Sequence, residues 1–543
     1  MRKNLFVLFI LLSFILPSAA FANDPSVTIT KAEREMAENI TAKQLSDYLH
    51  FIASDAMGGR NTPSQGLDIT AEFLAFNLRK WGFKPAGDNG TFFQKMMIVG
   101  GKVDTSGLKM SVGGDALTSG DDFLHISGSG SGSGGLVFGG NGWMVKSKGI
   151  DALKGVDVAG KVVVLHNSGF NFRRFGPPKG IDRSDLTGEK GTDWADPMTY
   201  LKSKEAKGII LVASQQMQSQ WSRVKRFLSG GRSRVKGMSD SDSGESLPIL
   251  LINQSTGTKL FNGETSDINS ASAFAMNKQV EFSAIKKQTE TPTQNVVAIW
   301  EGSDPKLKEE MVAIGAHYDH VGGSCRGVSK TDKICNGADD DGSGTTAVLA
   351  IAEALAKTQK RPKRSILFVW HAGEEKGLWG AQYFNKYPTV NIKNVVAQLN
   401  IDMIGRSKKS GDTNPRNKDL SGPNEVYVIG SEMMSSKLGE ITKGTNESYM
   451  NMKYNYKYDD PKDTNRFFFR SDHFMYAQNG IPIAFWFTGV HEDYHGAGDH
   501  ADKIDYQKME KIARTIFLTT WKLAELKERP AVDKKLPPEL TRR

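Results

Sequence analysis

The sequence predicts an α/β protein with a mixed, mostly parallel central sheet, flanked by helices and interrupted by an inserted, mainly β domain. From residue 293 onward, short apolar runs alternate with helical patterns, which is typical of a sheet covered by helices on both faces. Residues 136–286 instead contain short apolar runs between polar, glycine-rich loops. The chain has 543 residues, which is enough for two or three domains.

The segment boundaries follow from changes in composition. The stretch SGSGSGSGG at 127–135 has the composition of a flexible linker. In the part before it, Ile69, Phe73 and Phe76 recur at helical spacing. The predicted segments are a signal peptide at 1–22, the N-terminal part of the main domain with the linker at 23–135, the insert at 136–286, the C-terminal part of the main domain at 287–527 and a tail at 528–543.

The first residues have the pattern of a secretory signal peptide. Arg2 and Lys3 supply a positive start, an apolar run extends from Leu5 to Leu16, and residues 20–22 form a small-x-small cleavage site. The run is shorter than the roughly 20 residues that a membrane-spanning helix needs. We therefore expect a secreted protein, periplasmic or extracellular, with no membrane anchor after signal cleavage.

The C-terminal part contains six apolar runs that predict strands and two long helices. The strand runs are NVVAIWEG, EEMVAIGAHYD, RSILFVWHAGEE, NVVAQLNIDMIG, NEVYVIG and IPIAFWFTG. The apolar faces of the helices are Val348, Ile351, Ala352 and Leu355 in the first, and Met509, Ile512, Ile516 and Leu523 in the second. Strands and helices in this order favour an open α/β sheet.

The basic residues give little support for a nucleic-acid partner. The formal net charge is +9, but lysines and arginines are scattered, apart from a denser group between Arg223 and Lys236. That group lacks the interleaved aromatic side chains of a single-strand binder. We interpret it as a solvated loop and expect no nucleic-acid partner.

The two cysteines, Cys325 and Cys335, are expected to form a disulfide, because the protein is predicted to be exported. Two free thiols are the alternative. The pair lies between possible metal ligands in the sequence, which suggests that the bridge braces a loop of the active site.

Possible metal ligands recur where predicted strands end. They are His317, Asp319, the triplet 339–341, Glu374, Glu375, Asp402 and His495. Any one of them has an ordinary explanation, such as an acidic cap at a helix start. Five such loops together are harder to explain in this way, because strand-end loops of α/β sheets meet at one edge. Imidazoles with several carboxylates suit Zn²⁺.

The motifs HYDHVG, NGADDDGSG, GEEKGLWGA, LNIDMIG, RSDHFMYAQNGIP and YHGAGDHADKID resemble, in this order, the motif set of metallopeptidase family 28. That family includes secreted bacterial aminopeptidases, glutamate carboxypeptidase II and the catalytically inactive transferrin receptor. The resemblance covers 30–126 and 287–527 and implies a zinc-exopeptidase fold of the phosphorylase/hydrolase-like type. VDVAGKVVVL, EAKGIILVAS and LPILLINQSTGTKLF resemble a protease-associated (PA) domain.

The resemblance implies a site for two Zn²⁺ ions. Asp340 would be the carboxylate that bridges them, with His317 and Asp402 completing one ion and Glu375 and His495 the other.

The choice of Asp340 depends on its spacing from the following glycines, and a shift by one residue would select Asp339 or Asp341 instead. The resemblance also implies a cis peptide bond directly after the bridging residue, between Asp340 and Asp341.

Two ions about 3.5–4 Å apart can share a water and lower its pKa toward neutrality, which provides hydroxide for attack. The resemblance implies that Glu374 is the general base that moves this proton to the leaving amine. Asp319 would accept a hydrogen bond from the N–H on the ring nitrogen of His317 that does not bind metal, and so fix the tautomer of this ring. Asp499 would act similarly near His495.

Tyr494 and Arg470 are the candidates for stabilising the developing oxyanion, with packing or surface roles as the alternative. His473 belongs to the RSDH motif and is therefore a candidate for lining the pocket. The other histidines near the motifs are interpreted as structural or solvent-facing. They are His320, His371, His491 and His500.

We therefore expect a secreted, zinc-dependent aminopeptidase that cleaves single residues from the N-terminus of peptides. Carboxylates near the metals suit a free α-amine, whereas Arg470 would suit the terminal carboxylate of a carboxypeptidase or dipeptidase substrate. A non-catalytic, receptor-like binding protein is a further alternative, but it predicts missing ligands, and all five are present.

Overall fold

The computed structural model describes residues 26–103, 107–166, 175–229, 232–238, 247–264, 272–323 and 325–541. The predicted signal peptide lies outside the described residues. The chain forms two compact units. The first contains the described residues up to Gln94 and from Asn295 onward, and the second contains Lys95–Gln294. The second unit therefore begins at Lys95, earlier than the insert predicted at 136–286.

The centre of the first unit is a run of four parallel strands. In spatial order they are Ser365–His371, Met311–His317, Val395–Ile401 and Ile483–Phe487. Every residue of the first three is buried, as expected for continuous apolar runs covered on both faces.

Further strands extend this parallel centre. On one side, residues 296–300 run antiparallel to Ser365–His371, and on the other side Glu425–Ile429 runs antiparallel to Ile483–Phe487. The short strands Lys84–Pro85 and Lys453–Asn455 also belong to the first unit, whereas the strands Phe93–Val103 and Lys286–Trp300 each contain residues of both units. The α/β fold class, with its mixed sheet, is confirmed.

Helices cover the sheet of the first unit. They are Lys31–Ala37, Ala42–Ile52, Gln65–Lys80, Gly344–Thr358, Trp379–Lys386, Ser436–Ser448, His473–Gln478 and Tyr506–Glu525. The apolar faces predicted for the fourth and the last helix are buried. Among the described residues, none of the helices combines the length and apolar character that crossing a membrane requires.

The helix Gln65–Lys80 exists as predicted, but its buried face differs. Ile69 is 40% exposed and Phe76 is 58% exposed. The buried positions include Leu67, Thr70, Ala71, Leu74, Ala75 and Leu78. Leu67, Ala71, Leu74 and Leu78 follow the helical repeat as closely as the predicted isoleucine and phenylalanines do. These four residues form the stripe that faces the core.

The second unit contains an eight-stranded sheet with parallel strands at its centre. The parallel strands are Gly130–Phe138, Val162–Leu165, Gly208–Val212 and Ile249–Ile252. The other strands of the unit are Lys109–Val112, Asp115–Ala116, Phe123–Ser127, Met144–Val145, Ile150–Asp151, Trp194–Ala195, Arg232–Val235 and Phe274–Ala284, and the helices are Pro197–Ser203, Gln215–Ser219, Trp221–Ser229 and Gln254–Phe261.

The flexible linker predicted at 127–135 is wrong, because most of it lies in the strand Gly130–Phe138. This strand pairs antiparallel with Phe274–Ala284 along most of its length. A Cβ atom on Gly132 would meet the ring of Phe282 at 3.0 Å. The small residues therefore let an aromatic side chain of the neighbouring strand cover the backbone, which composition alone does not show.

The loop predicted for the basic group between Arg223 and Lys236 is also wrong. The helix Trp221–Ser229 and the strand Arg232–Val235 contain most of this group. The strand pairs antiparallel with residues 98–101.

Lys508 is a buried lysine in the last helix. Its Nζ donates hydrogen bonds to the Arg406 carbonyl at 3.0 Å and to Ser421 Oγ at 2.9 Å. The residue is only 1% exposed, and burial lowers the pKa of Lys508 to about 7. Because the unfolded chain keeps a lysine pKa near 10.4, it binds more protons than the folded protein between about pH 7 and pH 10.

The free energy of unfolding should therefore rise with pH across this window, by up to about 1.4 kcal/mol per pH unit from this group. Lys508→Met should lack this contribution, as denaturant unfolding at pH 7, 8 and 9 would show. Lys511→Met, at a less buried position of the same helix, is the control and should keep the wild-type slope. Equal pH dependence in the wild type and Lys508→Met would contradict the prediction.

Candidate metal centre

Three of the predicted ligand loops lie at one edge of the central sheet. His317 is the last residue of its strand, and Asp402 directly follows the neighbouring strand. Glu374 and Glu375 come shortly after the strand on the other side of His317. These strands are adjacent and parallel, so their carboxyl ends meet at the edge where open α/β sheets form ligand sites.

A first cluster of nitrogen and oxygen atoms forms around His317. Its Nε2 lies 3.5 Å from Asp340 Oδ1 and 3.6 Å from Asp402 Oδ2. All three residues are buried, and their ligand atoms are close enough together to hold one metal ion. Atoms bound about 2.0–2.2 Å from a tetrahedral zinc ion lie roughly 3.3–3.6 Å apart, so the observed spacing fits zinc.

A second cluster uses the other oxygen of Asp340. His495 Nε2 lies 3.2 Å from Asp340 Oδ2 and 3.0 Å from Glu375 Oε2. Asp340 thus presents one carboxylate oxygen to each cluster, which is the arrangement a bridging ligand requires. The structure brings together all five side chains predicted as metal ligands.

His320 also belongs to the second cluster, although the sequence predicts a structural or solvent-facing role for it. Its Nδ1 lies 2.9 Å from Glu375 Oε1 and 3.7 Å from Asp340 Oδ2. These three residues form the second group of ligand atoms close enough to hold an ion. The sequence signal for this role is a second histidine three residues after His317, where the chain leaves the strand.

The other two residues of the acidic triplet are held by backbone N–H groups. Asp339 Oδ1 accepts a hydrogen bond from the Gly405 N–H at 2.6 Å. Asp341 Oδ1 accepts from the N–H groups of Gly344 at 2.8 Å and Met403 at 3.1 Å. The peptide bond between Asp340 and Asp341 is cis, as the resemblance implies.

Asp499 binds the acidic triplet and not His495, contrary to expectation. Its carboxylate accepts hydrogen bonds from the N–H groups of Asp339 at 3.0 Å and Asp340 at 3.1 Å. It therefore fixes the backbone of the triplet, and the sequence neighbourhood of His495 and Asp499 is a poor guide to this contact.

Asp319 connects the base candidate to the first cluster. His317 Nδ1 is hydrogen-bonded to the Asp319 backbone carbonyl at 3.2 Å and lies 3.5 Å from Asp319 Oδ1. The same Oδ1 accepts a hydrogen bond from the Glu374 N–H at 3.1 Å. Glu374 Oε2 lies 3.9 Å from His317 Nε2. Burial raises the pKa of Glu374 well above its usual range, opposed by His317 and reinforced by Glu375.

The carboxylates also control the charge of the imidazoles. Burial alone would lower the pKa of His317, but Asp402, Asp319 and Asp340 outweigh it and raise that pKa well above its usual range. Burial would also lower the pKa of His495, but Asp340 and Glu375 outweigh this effect and raise that pKa to about 10. The carboxylates thus favour positive charge at both clusters, as a cation site requires.

Arg60 is a buried positive charge that the sequence motifs did not indicate. Its guanidinium donates to backbone carbonyls, namely those of Tyr318 at 3.0 Å, Ile52 and Asn336 at 2.7 Å, and Gly337 at 2.8 Å. It therefore joins the loop after His317 to the loop before the acidic triplet. No metal-ligand motif includes Arg60, so sequence reasoning had no reason to select it.

Tyr494 and Arg470 lie at a cavity of about 210 Å³ that both clusters line. Arg470 Nη2 donates to Tyr494 Oη at 3.1 Å, and burial together with Asp340 raises the pKa of Tyr494 well above its usual range. The phenol therefore stays protonated and able to donate into the cavity. The remaining lining residues are Gly377, Met403, Phe467, Phe485, Phe487 and Val490.

The predicted disulfide between Cys325 and Cys335 is present. Beside it, the backbone N–H of Arg326 donates to the His495 carbonyl at 3.0 Å, and the Arg326 guanidinium donates to the Tyr494 carbonyl. The cross-linked loop is thus tied to the segment that carries His495, in agreement with its predicted role beside the site.

The four other histidines near the motifs have partners outside both clusters. These are Tyr476 Oη for His371, the Phe468 carbonyl for His473, Asp339 for His491 and Asp332 for His500. The ring of His473 stacks on Phe485, so it lies behind the cavity wall and does not line the cavity itself.

The C-terminal part of the chain is similar to known peptidases. Residues 295–520 match Peptidase family M28. A probable leucine aminopeptidase of Arthroderma benhamiae is 31% identical over 228 residues, which cover 40% of this chain and 56% of the relative. A probable zinc metalloprotease of Phaeosphaeria nodorum is 27% identical over 269 residues, which cover 44% of this chain and 53% of the relative. The chain spans about half the length of these curated relatives.

Among solved structures, an aminopeptidase from Aneurinibacillus sp. strain AM-1 aligns with 93% of this chain and 98% of its own. The sequence identity is 14% and the TM-score is 0.48.

Proposed function

Because residues 295–520 belong to Peptidase family M28, we propose that the protein is a zinc-dependent aminopeptidase that removes apolar residues from the N-terminus of peptides. The observation that carries the proposal is the shared Asp340, which presents one oxygen to each of two ligand clusters at the wall of one cavity. The curated relatives named above are a probable leucine aminopeptidase and a probable zinc metalloprotease, which agrees with this chemistry.

The residues present fit two zinc ions. His317, Asp340 and Asp402 would hold one ion, and Glu375 and His495 would complete the other with Asp340. The donor set of imidazole nitrogens and carboxylate oxygens is one that zinc commonly takes in proteins. Zinc, when bound, supplies Lewis acidity and lowers the pKa of water.

Glu374 is the proposed general base. It lines the cavity, and burial raises the pKa of its carboxyl, which makes it a stronger base than an exposed glutamate. Its backbone N–H is fixed by Asp319. We propose that Glu374 takes a proton from the attacking water and returns it to the leaving amine.

Tyr494 and Arg470 are the proposed donors to the oxyanion that develops during attack. Both line the cavity, and the guanidinium is hydrogen-bonded to the phenol oxygen. This contact fixes the phenol oxygen, while the phenol O–H can turn into the cavity. Preorganised donors of this kind stabilise a transition state by about 3–4 kcal/mol.

The apolar part of the cavity wall supports a preference for apolar residues. Met403, Phe467, Phe485, Phe487 and Val490 supply apolar surface in the same cavity as both clusters. A volume of about 210 Å³ suits a single side chain. The carboxylates of the clusters would attract the free α-amine that precedes this side chain.

The substrate anchor decides between an aminopeptidase and a carboxypeptidase. Leucine p-nitroanilide should be hydrolysed and its N-acetyl derivative should not, since acetylation removes the α-amine charge. The value of kcat/KM for leucine should exceed that for aspartate by about 100-fold or more, because a charged side chain would be buried against phenylalanines.

Two further observations complete the test. An N-acetylated dipeptide with a free carboxylate should resist hydrolysis. If it is cleaved while N-acetylated leucine p-nitroanilide is not, the carboxypeptidase alternative replaces the present proposal.

We also propose that the protein acts outside the cytoplasm. The proposal is supported by the signal-peptide pattern at 1–22 and by the disulfide between Cys325 and Cys335, since disulfides persist in oxidising compartments. Fractionation of the producing cell, with detection of the chain beginning at Asn23, would test it.

A further inference from the structure

Three buried polar atoms converge beside the second cluster. They are His320 Nδ1, Asp340 Oδ2 and Glu375 Oε1, and none of them has a hydrogen-bond partner among the described residues. They nevertheless lie close enough together to hold one ion. A buried polar atom without a partner is costly, and three at one point indicate a group that satisfies all of them.

The position of the His320 ring is closely determined by its surroundings. The residue is fully buried, and its backbone N–H donates to the Arg60 carbonyl at 3.2 Å. A Cβ atom on Gly337 would collide with the ring, so a glycine is needed where the chain passes it. The ring also meets the ring of His495 edge-on, with 5.8 Å between their centroids.

The two carboxylate oxygens of Glu375 face different imidazoles. Oε2 lies 3.0 Å from His495 Nε2, and Oε1 lies 2.9 Å from His320 Nδ1. The short contact to His320 lacks the alignment of a hydrogen bond, because both atoms remain without a hydrogen-bond partner in the described part of the chain. His320 Nδ1 is therefore a buried nitrogen without a hydrogen-bond partner beside two carboxylate oxygens, Glu375 Oε1 at 2.9 Å and Asp340 Oδ2 at 3.7 Å.

We propose that His320 is an additional ligand of the second ion, through Nδ1. The proposal rests on the proposed zinc site, but adds a residue to the five that the family resemblance implies. The second ion would then have two imidazoles, one on the fully buried His320 and one on His495, whose side chain is 36% exposed. The buried ligand would retain the ion while the exposed one borders the substrate cavity.

The alternative is that His320 only orients Glu375 by donating a hydrogen bond. Two substitutions separate these roles. His320→Asn places an amide N–H donor at the same number of bonds from Cα as Nδ1, and so preserves orientation but not imidazole ligation. His320→Phe keeps the ring volume and removes both. His371→Phe removes another fully buried imidazole, outside both clusters, and is the matched control.

The experiment is calorimetric titration of the full-length, metal-free protein with Zn²⁺, checked by elemental analysis of the loaded protein. We expect two binding events in the wild type and in His371→Phe. In both His320 variants one event should weaken by more than about 100-fold, beyond the 10–100-fold typical of residues that only orient a ligand. Circular dichroism and thermal unfolding of the metal-free variants would show whether the fold is retained.

The outcomes distinguish the two proposals. If the wild type binds two ions and His320→Asn binds both with wild-type affinity, His320 is not a ligand, and the aminopeptidase proposal is unaffected. If the wild type takes up no zinc, both proposals fail. If one His320 variant is unfolded without metal, the question is decided with the other variant, which remains folded. The visible absorption of bound Co²⁺, which reports the ligands around the ion, is then compared between that variant and the wild type. A changed spectrum supports ligation by His320, and an unchanged one overturns it.

Discussion

Replacing Glu374 by glutamine is expected to reduce kcat by about 10³-fold or more while leaving zinc content unchanged. The substitution keeps the size and hydrogen-bonding shape of the side chain but removes its ability to accept a proton. Because Glu374 is 3.9 Å from His317 Nε2 and is not among the closest ligand atoms of either cluster, the metal-binding side chains should remain in place.

The measurement is steady-state hydrolysis of leucine p-nitroanilide with parallel determination of bound zinc. Glu301→Gln, which changes an exposed carboxylate directly after a strand, serves as the control and should retain the wild-type rate. Loss of zinc from Glu374→Gln would assign Glu374 to metal binding, and a near-normal rate with zinc retained would remove it from the mechanism.

The strands that carry the site could be predicted because their sequences are continuously apolar. Met311–His317, Ser365–His371 and Val395–Ile401 are buried along their whole length, and a polar residue at the end of such a run marks the strand's end. Parallel pairing then brings His317 and Asp402 to one edge. This part of the site depends on local pattern and strand direction, both of which the sequence contains.

Other parts of the site depend on contacts between distant residues. Arg60 acts through carbonyl groups up to 277 positions away along the chain, and carbonyl groups leave no mark in a sequence. His320 has the same residue type as several structural histidines, and only the position of Glu375 beside it reveals its place in a cluster. The glycine and serine part of the strand Gly130–Phe138 escapes prediction because it is held by backbone pairing with Phe274–Ala284, which its own composition does not reveal.

The acidic triplet 339–341 shows most clearly what the sequence alone cannot resolve. Spacing selects Asp340 only to within one residue, because three identical side chains follow one another. The structure separates them by their partners. Asp339 is held by the Gly405 N–H and Asp341 by those of Gly344 and Met403, which leaves Asp340 to face both clusters.

Asp340→Asn should therefore remove far more function than the same change at its neighbour. The amide has one carbonyl oxygen and no charge, so it cannot present an anionic oxygen to His317 and to His495 at once, as the carboxylate does at 3.5 Å and 3.2 Å. Losing several kcal/mol of the metal-assisted stabilisation of the transition state corresponds to a fall of about 10³-fold or more in kcat/KM. Zinc affinity should fall at both sites, since the bridging carboxylate contributes to each.

The matched control is Asp339→Asn. Its amide oxygen can still accept the hydrogen bond from Gly405, so both zinc ions and most of the activity should remain. Zinc titration and leucine p-nitroanilide hydrolysis, measured on both variants under the same conditions, give the comparison. If Asp339→Asn loses both ions and Asp340→Asn retains them, the bridging role belongs to Asp339, and the assignment of the two clusters around Asp340 is wrong.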